Sequence, residues 1–391
     1  MIPVTEARAR IVAALAPVGR ECVDLDRALG RILAAPVAAR RTQPPLAVSG
    51  MDGWAVRLAD GAGPLRVIGQ SAAGQEFAGT LGPGETVRIF TGAPVPTGAD
   101  AIAIQEEASR DGDLVTLTEV PAPGRYIRPA GLDFAEGDDL LPVGQRLTVR
   151  DIGLLAAADV PAIEVFRKPR IAVLATGDEL VPAGLPRGPA QIVDAGRPAL
   201  LAFVAAAGAL PLDLGIARDD AADIAACAAK AGEADLLVTL GGASVGDHDL
   251  IARVLAEGGA SLDFWRIAMR PGKPLMFGRH GAVPLLGLPG NPVSAFVTGT
   301  LFLCPMVRHL AGSRAPLPPI VQARLAAPLG ATAERDDYLR AYRAADGIVS
   351  VTAQDSAATA AMALADCLIR RPAGSAPAIA GDMVDIIPLT A

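Results

Sequence analysis

The spacing of apolar positions changes along the chain, and each change marks a structural boundary. Between residues 5 and 18 the apolar Ile11, Val12, Ala14 and Leu15 are interleaved with Arg and Glu, and a second helical spacing runs from about Asp24 to Leu33. This predicts two amphipathic helices at the start of the chain. From Thr42 the pattern becomes short apolar runs broken by Gly and Pro, at 65–68, 86–90, 101–104 and 114–117, with the turn pair Asp111-Gly112 between the last two. These predict a compact β unit ending near Asp133. Residues 147–158 return to helical spacing, and Phe166-Arg-Lys-Pro-Arg marks a boundary.

Beyond it, apolar strands alternate with helices: 171–175, a helix at about 197–208, 212–216, a helix near 221–231, 235–240, a helix at 249–257, 283–288, and a long helix at 292–310. That order predicts a doubly wound α/β domain with a mostly parallel sheet. Such folds bind ligands outside the carboxyl ends of their strands. The Pro-rich Ala315-Pro-Leu-Pro-Pro then precedes strand-like runs at 320–325, 338–342, 348–352 and 383–388, a small C-terminal β unit. The expected class is α/β and multidomain.

Composition narrows the picture. Of 391 residues, 51% are hydrophobic and 20% charged, enough apolar material for several cores and too much for disorder. The formal charge of −7, from 35 Lys+Arg against 42 Asp+Glu, argues against a nucleic-acid binder, so any anion site has to be a focused pocket. The mean hydropathy is positive. However, the longest apolar runs, at 200–212 and 295–306, fall short of the roughly 20 residues a bilayer requires, and each contains a proline. With no signal-peptide pattern at the N-terminus, the expectation is a soluble cytoplasmic protein without a membrane segment. Cys22, Cys227, Cys304 and Cys367 are widely separated and the histidines form no metal motif, which argues against zinc and disulfide scaffolds.

Candidate chemistry collects at strand ends. The strand at 235–240 runs into Gly241-Gly-Ala-Ser-Val-Gly-Asp-His-Asp, where glycines allow close backbone approach and amides, a helix N-terminus and Ser244 can face a phosphate. The alternative is a tight turn with Asp247 or Asp249 capping the helix. Thr176-Gly-Asp-Glu ends the strand before it and could place carboxylates beside a magnesium ion or form a solvated turn. Asp219-Asp220 follows the strand at 212–216 with the same two readings. Met269-Arg-Pro-Gly-Lys-Pro supplies cations around a turn, and Gly287-Leu-Pro-Gly-Asn-Pro-Val-Ser supplies backbone donors. Ser49-Gly-Met-Asp-Gly and Phe90-Thr-Gly-Ala each place a polar side chain beside glycine, which is also ordinary turn chemistry.

In this order, Ser49-Gly-Met-Asp-Gly-Trp-Ala-Val, Arg88-Ile-Phe-Thr-Gly-Ala-Pro-Val-Pro, Thr176-Gly-Asp-Glu-Leu, the 241–249 loop, Arg270-Pro-Gly-Lys-Pro and the 287–294 turn resemble the molybdopterin molybdenumtransferase family, which includes the E domain of gephyrin. The resemblance extends to Ala380-Gly-Asp-Met-Val-Asp. It implies an elongated homodimer with four domains per subunit. These are a discontinuous N-terminal helical and extended domain (1–43 and 134–168), an inserted β domain (44–133), an α/β molybdopterin-binding domain (169–312) and a C-terminal β domain (313–391). It also implies magnesium-dependent insertion of molybdate into adenylylated molybdopterin with release of AMP, the last step of molybdenum cofactor synthesis. The implied partners are the molybdopterin adenylyltransferase and apo-molybdoenzymes, with no nucleic acid or membrane.

By motif position the resemblance implies that Gly241, Gly242, Ser244 and Gly246 bind the pterin substrate together with Gly290, Asn291 and Pro292. Glu179 and Asp249 would hold magnesium. Arg270, Pro271, Gly272, Lys273 and Arg340 would line the molybdate and phosphate pocket. Asp52, Thr91 and Asp133 would reach the site across the dimer cleft, and Asp219 matches a further carboxylate; with Glu179, Asp249 and Lys273 these four complete the implied catalytic set. The chain departs from the family pattern at Gly50, Trp54 and Arg270, and more substantially at Ala195-Gly196, where a hydroxyl and an amide are replaced. Around Asp355-Ser356-Ala357 and Ala360-Ala361 other polar positions are replaced. Those losses leave a second reading, a molybdopterin-binding carrier without catalysis, beside the transferase. A scaffold role is a third, with no partner motif behind it.

Overall fold

The computed structural model describes residues 1–241, 254, 257 and 260–389. The opening helix Val4–Ala14 begins after Pro3 and buries Val4, Ala7 and Ile11, the i, i+3, i+7 stripe of one helical face. That face packs with Leu301, Phe302 and Met306 in the main core. It therefore joins the α/β region and not residues 134–168.

The second helix predicted at 24–33 is reduced to a single 3-10 turn, Leu25–Arg27. Tertiary pairing overrides the helical spacing. Arg20–Asp24 is a strand antiparallel to Ala162–Phe166, Leu33 N donates to Gln145 O at 3.0 Å and Ala34 N to Glu164 O at 3.0 Å. Backbone donors that a helix would use internally are taken by other strands. Val37–Ala38 pairs with Asp139–Leu141, and Leu33, Leu147, Leu155, Ile163 and Val165 form a core shared by the two stretches. The helix Val149–Ala157 starts in a capping box of Thr148 and Asp151.

The β unit is a 6-stranded sheet in the order 101–104, 53–56, 85–89, 65–71, 114–117, 108–111. Here the expectation needs correction: the hairpin at Gly112 joins Ala108–Asp111 to Leu114–Leu117, with Asp111 opposite Leu114, whereas Ala101–Ile104 pairs with Gly53–Val56. Ala108–Asp111 carries no apolar run and is exposed or half-buried throughout, so alternation could not reveal it.

The α/β unit is a 6-stranded sheet ordered 210–217, 170–176, 236–240, 283–288, 276–280, 260–265. The first four strands are mutually parallel and the last two antiparallel. Arg170–Thr176 beyond its first residue and all of Leu236–Leu240 are buried, as expected for strands covered on both faces. From 170–176 the chain moves outward to 210–217, then returns past it to 236–240, so the order reverses between 170–176 and 236–240. At such a switch point the flanking connections diverge to opposite faces and leave a crevice. The predicted helix at 249–257 lies outside the described residues apart from 254 and 257.

The long apolar helix is Pro292–Thr298 and Cys304–Leu310 joined by a π-helical segment, Gly299–Leu303. Thr298 and Thr300 hydroxyls bond back to Ser294 O at 2.7 Å and Phe296 O at 3.0 Å, backbone competition that accompanies such widening. Its 19 residues are long and apolar enough to cross a membrane, but 78% of the most apolar window is buried inside the protein, as in a core helix. The C-terminal sheet runs 269–270, 336–344, 367–371, 383–388, 321–324. Its edge strand Met269–Arg270 comes from the α/β region, with Arg270 opposite Asp337.

Candidate functional site

The switch point brings three turns together. The strand Arg170–Thr176 ends in a Thr176 that is 5% exposed, and its Oγ1 has no hydrogen-bond partner among the described residues. Gly241, at the end of the neighbouring strand, has φ +95°. A Cβ there would fall 2.8 Å from Thr176 O and 3.1 Å from its Oγ1, so both the backbone conformation and the space require glycine. Gly241 N donates to Leu288 O at 3.2 Å, and a Cβ on Gly290 would sit 3.4 Å from Gly241 Cα. Backbone thus lines the crevice, where an anion can approach amides closely. Gly242, Ser244, Gly246, Asp247 and Asp249 lie outside the described residues.

Carboxylates rim this edge. Glu179 is exposed and its side chain folds over Gly177, where an added Cβ would lie 2.5 Å from Glu179 Oε2. Asp178 Oδ1 accepts from Asp219 N at 3.3 Å, which draws the Asp219 loop toward the Thr176 loop. Asp219 leaves its carboxylate exposed, while Asp220 caps the helix Ala221–Ala229 by accepting from Ala222 N and Asp223 N. No cluster of three or more His, Cys, Asp or Glu side chains suited to a metal occurs among the described residues. Glu179 and Asp178 are oxygen donors, the kind magnesium takes one or two of while keeping several waters.

The cations divide sharply. Arg270 is exposed, with Nε 3.8 Å from Asp337 Oδ1 and 60% of its side chain accessible, and Pro271 and Gly272 turn the chain toward the half-buried Lys273. Arg340, expected to line the molybdate and phosphate pocket, is 1% exposed. Its Nη2 donates to Ala353 O at 2.7 Å, whereas Nε and Nη1 have no hydrogen-bond partner among the described residues. Burial holds the guanidinium below the ordinary arginine range, and the Asp355 charge opposes that. The segment after Ala353 connects this arginine to the crevice: Gln354 Nε2 donates to Arg340 O at 2.9 Å, Asn291 Nδ2 donates to Ser356 Oγ at 3.0 Å and Val293 N to Ser356 O at 3.2 Å. Pro292 occupies the first helical turn behind Asn291.

Sequence reasoning missed the anchor of this edge. Asp194, 2% exposed, accepts from Arg197 N at 3.0 Å and Nε at 2.9 Å, and Arg197 also bonds Asp213. The Asp-x-x-Arg spacing across a helix start was the available signal. Beside it, the departure at Gly196 has a packing cause: a Cβ would lie 2.3 Å from Leu240 Cδ2. Ala195, Gly196, Phe203, Pro292, Phe296 and Met362 instead border an apolar cavity of about 440 Å3.

In the β unit, Asp52 and Thr91 do meet: Thr91 N and Oγ1 donate to Asp52 Oδ1 at 2.7 and 2.8 Å. The amide, then the hydroxyl, hold the Asp52 carboxyl below the usual carboxylate range, with help from the Arg88 charge and against slight desolvation. Asp133 is exposed and is tied through its backbone to Gln43 O at 3.0 Å. None of the three side chains makes a hydrogen bond to the α/β edge among the described residues.

Comparison with known proteins places this arrangement. Residues 2–158 match the MoeA N-terminal region (domain I and II), 172–309 a probable molybdopterin binding domain, and 322–389 the MoeA C-terminal region (domain IV). A molybdopterin molybdenumtransferase of Nostoc is 37% identical over 82% of this chain and 76% of its own. One from Staphylococcus aureus is 31% identical over 99% and 95%. A solved molybdopterin biosynthesis moeA protein of Pyrococcus horikoshii is 30% identical with a TM-score of 0.85, covering 100% of both chains. A fold that matches from end to end, three family regions that together span nearly the whole chain, and relatives at 31–37% identity make this chain a member of the molybdopterin molybdenumtransferase family.

Proposed function

We propose that this protein inserts molybdate into adenylylated molybdopterin and releases AMP, the last step of molybdenum cofactor synthesis. The observation that carries the reading is the meeting of Thr176, Gly241 and Gly290 at the sheet's switch point, linked through Asn291 and Ser356 to the buried Arg340. Gly241 and Gly290 keep the crevice narrow and backbone-lined for the substrate, and Ser244 and Asp249 belong to the pterin-binding stretch that follows. Arg270 and Lys273 attract the anion from solvent, and the partly unsatisfied Arg340 guanidinium supplies preorganised positive charge behind them. Glu179 with Asp249 would hold magnesium, whose chemistry there is neutralisation of phosphate charge. Asp219 completes the acidic rim.

Among the described residues, the side chains of Asp52, Thr91 and Asp133 do not bond the α/β edge of their own subunit, and that supports a homodimer in which the β unit faces the neighbour's crevice. Sedimentation equilibrium tests it, and a monomer across micromolar concentrations contradicts the shared site. The units proposed are 1–43 with 134–168, 44–133, 169–312 and 313–391, with the first helix docked on the third.

The deciding experiment is reconstitution from purified protein, adenylylated molybdopterin, magnesium and molybdate, read as AMP release and activation of an apo-molybdoenzyme. The apolar lining at Ala195 and Gly196 favours the second reading, a carrier. Tight pterin binding with no molybdate-dependent turnover would establish the carrier in place of the enzyme.

A further inference from the structure

A basic pocket lies away from the candidate site, on the seam where the 20–43/134–168 core meets the α/β unit. Its cavity of about 470 Å3 is lined by Arg31, Arg146, Arg167, Lys168, Arg308 and Arg314, and by no carboxylate among the described residues. The chain as a whole carries −7, so this concentration of one sign runs against the composition.

Two of the six cations are already neutralised. Arg167 forms a two-pronged pair with Asp235 at 2.7 and 2.6 Å, and Arg31 bonds Glu21 and, at 2.9 Å, Phe166 O. Arg146, Lys168, Arg308 and Arg314 form no ion pair among the described residues. Within a cavity whose width is comparable with a Debye length of about 10 Å at 0.1 M salt, their mutual repulsion is not fully screened. A fold holds such groups together at a cost that a bound anion would remove.

The walls are rigid. A Cβ on Gly144 would fall 3.1 Å from Arg314 N and one on Gly312 would fall 2.2 Å from the Phe166 ring. Arg314 N donates to Gly144 O at 3.0 Å. Closely fitted segments from both units therefore present the cations in place, which lowers the ordering cost of binding. Guanidinium forks suit phosphate oxygens, and the cavity has the volume of a small molecule, within the common range for ligand sites of roughly 300–1,000 Å3.

We propose that this seam pocket binds a small polyanion bearing two or more phosphate groups, separately from the candidate active site. The test is calorimetric titration of the full chain with inorganic tripolyphosphate at constant ionic strength. Arg308→Ser/Arg314→Ser is expected to weaken binding at least tenfold, while Arg270→Ser, at the candidate site, leaves that binding event in place. If the double variant fails to fold by circular dichroism, the exposed Arg146→Gln is expected to weaken it at least threefold. The proposal is overturned if the parent does not bind, if the pocket variants bind like the parent, if Arg270→Ser abolishes the event, or if equal ionic strength of sulfate displaces the probe as well as pyrophosphate does.

Discussion

The corner of the β unit and the switch point of the α/β unit both carry predicted site residues, but they handle polar groups in opposite ways. At the corner, the Asp52 carboxylate is exposed to solvent and its Oδ1 is met by two Thr91 donors. At the switch point Thr176 Oγ1, and on the C-terminal sheet two Arg340 nitrogens, are buried without hydrogen-bond partners among the described residues. Buried polar groups are nearly always satisfied, so exceptions call for an explanation such as catalysis or a ligand. The Asp52 corner closes its hydrogen bonds locally, whereas Thr176 Oγ1 at the crevice stays open; Asp60 Oδ2 of the β unit and atoms of Arg8, Thr239, His280 and Arg371 are also buried without a hydrogen-bond partner among the described residues, so open capacity is not confined to the crevice. At Thr176 this residual hydrogen-bonding capacity coincides with the crevice, which sets that strand end apart from the Asp52 turn.

The contrast can be broken most directly at Arg340. Arg340→Met keeps the volume and removes the half-satisfied charge, so stability should change by only about 1 kcal/mol while AMP release falls by about 10²–10³-fold, as for other preorganised donors. Urea unfolding beside a turnover assay reads both, and parallel losses would make Arg340 merely structural. A smaller change is expected from Gly241→Ala. With φ +95° and Thr176 O 2.8 Å from the new Cβ, it should cost about 1–3 kcal/mol of stability and weaken pterin binding. A variant as stable as the parent would mean that the crevice yields easily. Asp220→Ala removes a helix cap and should cost about 1 kcal/mol with turnover unchanged; a lost turnover would move the functional carboxylate from Asp219 to its neighbour.

The smallest effect belongs to the corner. Because Thr91 depresses the Asp52 pKa, the ionised carboxylate stabilises the fold above its unfolded pKa of about 3.9, and that contribution disappears as pH falls through the lower folded value. Asp52→Ala should therefore be less stable than the parent at pH 7, and the gap should close in acid, as pH falls below the unfolded pKa and through the lower folded one. Urea midpoints at both pH values check the sign. An undiminished gap in acid would show that packing, not charge, holds the corner.

Much of this architecture is written in local pattern. The fully buried strand Leu236–Leu240 appears as a continuous apolar run, Gly241 as a glycine at its end, and the helix Val4–Ala14 as an apolar stripe. Ala108–Asp111 could not be read, because a solvent-facing edge strand has no alternation to show. The helical spacing at 24–33 misled, because pairing of Arg20–Asp24 with Ala162–Phe166 is a contact between residues far apart in the chain.

The same division holds for the site. Residue types and their order along the chain were enough to suggest the family and to put Thr176, Asp219, Gly241 and Gly290 just at or after strand ends. Only the tertiary structure decided that Arg340 is enclosed while Arg270 is open, that the Leu240 side chain packs where a Cβ at Gly196 would stand, and that Asp194 is anchored by Arg197. The physical reason is range. Spacing records what a residue does to its own helix or strand, whereas burial and unsatisfied hydrogen bonds depend on which distant segment closes over it.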